Sequence, residues 1–122
     1  EIKLLTVKGN SEQRVHAYER ITLFLERLKP SNLVTKFDRN LAPHEFIFLV
    51  EKTINEEFDY NASQQLYLTK NLWKNVVNCK NNTLHLLHKT YENLSDNSTL
   101  DDFKTVFLMN YISEYYFLFC LL

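Results

Sequence analysis

The chain has 122 residues and a formal net charge of −1, with 45% hydrophobic and 24% charged residues. It is long enough to bury one core and too apolar to stay disordered. A single glycine, Gly9, and two prolines, Pro30 and Pro43, exclude the frequent tight turns of an all-β fold and any glycine-rich phosphate cradle. Acidic and basic residues are interspersed with no basic stripe, so no nucleic-acid partner is expected.

Glu1 to Lys8 reads as a helical lead-in that Gly9 interrupts, with Asn10 or Ser11 as an N-cap and Gln13 in capping-box spacing from Asn10. From about 11 to 29, Val15, Tyr18, Ile21, Thr22, Leu25 and Leu28 recur at intervals of three and four, the stripe of an amphipathic helix that Pro30 ends. Ser31 to Ala42 is the longest connection, anchored by Leu33, Val34 and Phe37 around one short helical turn. Pro43 suits the first position of a second helix over about 43–60, with Phe46, Ile47, Leu49, Val50, Ile54 and Phe58 as its stripe. Asn61 to Leu68 is a polar-to-apolar connector.

Thr69 is placed to cap a third helix over about 69–94, which carries Leu72, Trp73, Val76, Val77, Leu84, Leu87, Tyr91 and Leu94. Its polar stretch Lys80-Asn81-Asn82 leaves open a break there. After a polar turn at Ser95 to Ser98, Thr99 with Asp102 signals a fourth helix over about 99–119, with Asp101 and Asp102 well placed against the helix dipole. Leu100, Phe103, Val106, Phe107, Asn110, Tyr111 and Tyr115 form its stripe. The expected fold is all-α, a compact bundle of four main helices in a single domain spanning 1–122.

Catalytic constellations are scarce. His85 and His88 with Glu92 one turn further share a helix face and form the best metal candidate, though no further ligand accompanies them and a boundary face of the bundle explains the two histidines as well. The Glu-x-x-His pairs of a di-iron carboxylate bundle do not occur. Glu56, Glu57 and Asp59 read as a solvated helix end rather than a catalytic carboxylate pair. Cys79 has no histidine near it in sequence and reads as a small, partly buried residue. Serine-nucleophile motifs, HExxH and paired CxxC are missing. The expectation is therefore a non-enzymatic protein-interaction or scaffold domain with no cofactor and an unidentified protein partner; a helical bundle binding a small ligand or lipid in an aromatic-lined cavity is the alternative. The recognition surface is expected on the connector, at Tyr60, Asn61, Gln64, Gln65 and Tyr67, since loops carry function more often than packed faces. Gln64 and Gln65 could equally serve to satisfy backbone groups at a helix junction.

With only Cys79 and Cys120, a reducing, cytoplasmic compartment is expected. No run approaches the ~20 apolar residues of a membrane span. The apolar end from Tyr115 to Leu122 is expected to pack in the core or to serve as a homo-oligomer contact.

Three stretches carry a family resemblance: Ala17 to Arg27 (AYERITLFLER), Pro30 to Leu33 (PSNL), and Glu56 to Tyr67 (EEFDYNASQQLY). Over about Asn10 to Asn110 the chain resembles an uncharacterised family of short bacterial proteins, in which one N-terminal membrane helix precedes a cytosolic helical domain. The resemblance implies an anchor upstream of this chain, membrane proximity through it, and a place at the cytoplasmic face of the inner membrane. It implies no catalytic residues.

Overall fold

The computed structural model describes residues 11–37 and 40–115. The expected Asn10 cap, the helical lead-in before it, Cys120 and the apolar end beyond Tyr115 lie outside them. The described residues contain no strand. In chain order they form α1 (Ser11–Leu28), a single turn α2 (Pro30–Leu33), α3 (Pro43–Asn61), a 3-10 turn (Ala62–Tyr67), α4 (Lys70–Glu92) and α5 (Leu100–Asn110), which ends in a π-turn (Tyr111–Tyr115).

Local chemistry sets most of these boundaries. Pro30 and Pro43 open their helices at the first turn, where no N–H is needed. At α3 the Glu45 carboxylate also accepts from the Ala42 N–H at 3.0 Å. Thr69 Oγ1 accepts from the Leu72 N–H at 3.1 Å and caps α4. At α5 the box is reciprocal: Thr99 Oγ1 accepts from Asp102 N–H, and Asp102 Oδ2 accepts from Thr99 N–H. The Lys80-Asn81-Asn82 stretch does not interrupt α4, which runs unbroken through 23 residues and stops at Glu92 rather than Leu94. The last helix keeps α geometry to Asn110 and continues as a π-turn over Tyr111–Tyr115; its expected end at 119 lies outside the described residues.

The long α3–α4 hairpin is the spine. Phe58 of α3 stacks on Trp73 of α4 at 5.2 Å, and Lys80 sits over the same ring at 4.4 Å. Farther along the antiparallel pair, His88 meets Glu51. On the half nearest the 3-10 turn, α1 runs antiparallel to α3: Phe24 packs against Phe58 at 5.9 Å, Arg27 pairs with Glu57 at 2.9 Å and Arg20 reaches the Tyr60 carbonyl at 3.2 Å. On the other half, α5 and α2 close the bundle. There Phe46 of α3 meets Phe103 at 6.0 Å, Phe103 stacks on Phe107 at 5.8 Å, and the Asn110 amide donates to Thr90 Oγ1 at 3.2 Å.

Phe24, Phe46, Phe103 and Phe107 are fully buried within one continuous core. Each contributes about 1.5–3 kcal/mol relative to an exposed ring. Phe37 holds a left-handed backbone (φ 68°), which costs a non-glycine residue about 1–2 kcal/mol. Its ring lies edge-on to Phe46 at 6.4 Å, and that packing offsets the strain.

The inward face of α1 departs from the expected stripe. Ala17, Ile21, Phe24 and Leu28 are the buried positions, while Val15 and Tyr18 are exposed at 57% and 38%. Ile21 and Leu28 belong to both stripes. Choosing Ala17 and Phe24 instead of Val15 and Leu25 turns the helix by a fraction of a turn, and this brings Phe24 onto Phe58.

Candidate functional site

The histidine trio does not assemble. His85, His88 and Glu92 are all exposed, and the His88 Nε2 is engaged by Glu51 Oε1 of α3. Among the described residues, no three His, Cys, Asp or Glu side chains gather closely enough to hold an ion. Of the acidic group at the end of α3, Glu57 is occupied by Arg27 at 2.9 Å and more loosely by Lys36 at 3.9 Å. Cys79 faces the core of α4, where burial pushes its thiol pKa up to about 12 and removes it as a nucleophile near neutral pH.

The connector residues fall on one face, where α1 lies beside the end of α3 and the 3-10 turn. Two surface clefts run in line along α1. The first, about 460 Å³, is walled by Glu12, Gln13 and His16 from α1 and by Gln64, Leu66 and Tyr67 from the 3-10 turn, with Ser63 at its edge. The second, about 320 Å³, lies between Arg20, Leu23 and Arg27 of α1 and Tyr60 and Asn61 of α3. On α1, positions 12, 16, 20, 23 and 27 recur at helical spacing, so one side of the helix lines both clefts.

The five expected surface residues play different parts. Tyr60 is 77% exposed, yet its ring is held by the Arg20 guanidinium at 4.7 Å and its carbonyl by the same side chain. Asn61 is buried, and its amide donates to the Glu57 carbonyl at 2.9 Å. Gln65 donates to the Ala62 carbonyl at 2.9 Å. The Gln65 amide therefore satisfies backbone at the helix junction, the alternative role stated above for Gln64 and Gln65, and the Asn61 amide does the same. Tyr67 is half-buried against the core and lines the first cleft.

Gln64 differs from its neighbour. The residue is only 8% exposed, and no hydrogen bond within the described residues takes up its side-chain amide. Because no polar side-chain atom sealed from solvent lacks a partner among the described residues, that amide opens onto the cleft it lines.

Sequence reasoning missed the α1 wall: Glu12, His16, Arg20, Leu23 and Arg27. Their spacing was legible, but which loop they would face is a tertiary fact.

A family model described as "Family of unknown function (DUF7935)" matches residues 1–116. The chain belongs to that family. The DUF7935 match takes in both clefts and every helix of the fold. No curated protein and no solved structure matches the chain.

Proposed function

We propose that this DUF7935 chain is a non-enzymatic protein-interaction or scaffold domain whose recognition face is the side of α1 together with the end of α3 and the 3-10 turn. Tyr60 carries the reading. An aromatic ring 77% exposed to solvent, already immobilised by Arg20, is a preorganised anchor of the kind that dominates protein interfaces. Leu23 and Leu66, 53% and 48% exposed, flank it along the same face. The family resemblance adds a bacterial setting, with the domain tethered by an upstream membrane helix at the cytoplasmic face of the inner membrane. Among the described residues no helix is long and apolar enough to cross a membrane, so such an anchor has to come from elsewhere. Self-association through the apolar C-terminal end belongs to the same proposal.

The alternative reading, a small-ligand or lipid-binding bundle, draws on the 460 Å³ cleft, which is large enough for a small molecule. Its walls include exposed Glu12, Gln13 and His16, which suits a polar chain better than a lipid tail.

The test is site-specific photo-crosslinking in the native cell, with benzoylphenylalanine placed at Tyr60 or, as a control, at Phe48, which is 67% exposed on the outer side of α3. A discrete protein adduct from position 60 and none from position 48 is expected. Equal labelling from both positions, or none from either, removes the reading.

A further inference from the structure

Gln64 is the unusual group of the recognition face. Nine-tenths of the residue is buried, yet no hydrogen bond among the described residues takes up its primary amide. Most buried polar groups are paired internally, and a primary amide lining a cleft presents an N–H donor and a carbonyl acceptor side by side. In an extended chain the N–H and C=O of one residue point to the same side and offer the complementary pair.

From this geometry we infer that the first cleft binds an extended peptide segment of a partner protein. The Gln64 amide pairs with the backbone N–H and C=O of one residue of that segment, and Glu12 receives a Lys or Arg side chain. This deepens the interaction-domain reading and rests on it.

Charge selects the occupant. Among the described residues, Glu12 is the one acidic residue lining the cleft, and neither Lys nor Arg lines it. A phosphate-bearing ligand would find no permanent cation among the described lining residues, whereas a basic side chain gains the Glu12 carboxylate. Leu66 and Tyr67 supply the apolar wall against which a peptide side chain packs. Between Glu12 and Arg27 the α1 edge is about 22 Å long. At about 3.3 Å per residue, that edge accommodates an extended segment of six or seven residues. The far end of this track is the Arg20–Tyr60 platform of the second cleft.

The experiment is a selection of phage-displayed random heptapeptides against the whole chain, followed by fluorescence-polarisation titration of the enriched sequences. Enriched peptides should share a Lys or Arg. Their affinity should fall about tenfold in Gln64→Leu, as expected for losing a paired, desolvated amide. In Glu12→Gln the affinity should fall about threefold, with the basic preference lost. Glu12 is exposed, so its variant keeps the proposal falsifiable even where Gln64→Leu fails to fold. No enrichment, peptides without a basic residue, affinities unchanged in both variants, or comparable binding of a (dA)10 oligonucleotide would each overturn the inference. Peptides that lose affinity in Tyr60→Ala but not in Gln64→Leu would sink it alone, leaving the broader interaction face intact.

Discussion

Burial keeps the Cys79 thiol neutral, and this has a measurable pH signature. The thiol in an unfolded chain ionises near the ordinary value of 9.0, while the folded chain holds the proton to about 12. Below the first value both states are protonated and the group has no effect on stability. Between the two values the unfolded state alone gains by losing the proton, so this contribution lowers folding stability as pH rises through that window. In a Cys120→Ser background, iodoacetamide at pH 8 should label Cys79 only at the rate at which the chain opens. Rapid labelling of the native protein would show that the thiol is accessible. The contrast between Gln64 and Gln65 belongs to the same scale: adjacent and chemically identical, one serves its own backbone and the other does not.

At the level of elements, helix ends were more legible in the sequence than helix faces. Thr69, Thr99 with Asp102, and Pro43 announced their helices because capping is local chemistry, readable from a few neighbouring residues. Thr99→Ala should therefore cost about 1 kcal/mol in urea denaturation, while Thr105→Ala on an exposed position of the same helix stays within about 0.5 kcal/mol. Equal effects would mean the box does not contribute. The inward face of α1 was harder to read, since Val15–Tyr18–Thr22–Leu25 and Ala17–Ile21–Phe24–Leu28 both keep helical spacing. Ala17 is too small to advertise itself, and Tyr18 is amphipathic enough to lie at the edge. Only the shape of α3 and α4 decides between the stripes. The candidate site divides in the same way: Tyr60, Gln64 and Tyr67 were visible as a loop rich in aromatics and amides, whereas Glu12, His16 and Arg20 became partners only when α1 docked beside them. The π-turn after Asn110 had no sequence signal at all.

On the scale of the whole molecule, α3 and α4 pass through both halves of the core, so the halves should lose their structure together. Trp73 fluorescence reports the half bearing α1, and far-UV circular dichroism reports all helices. Their urea midpoints should coincide. Phe103→Ala, in the other half and fully buried, should destabilise by about 3–5 kcal/mol and move both signals equally, whereas Phe48→Ala should change stability by less than about 0.5 kcal/mol. Two separated midpoints in the Phe103 variant would show independent halves.

Because the two long helices are common property of both ends, the described residues offer no internal seam at which the gene could be cut to give a working fragment. A piece ending before Leu100 would leave Phe46 without Phe103 and Thr90 without Asn110. A piece starting at α3 would leave Phe58 without Phe24 and Tyr60 without Arg20. Insertions, fusions or new chain ends are best borne by the exposed polar turn from Ser95 to Asn97, which carries no wall of either cleft along α1 and precedes the capping box of α5.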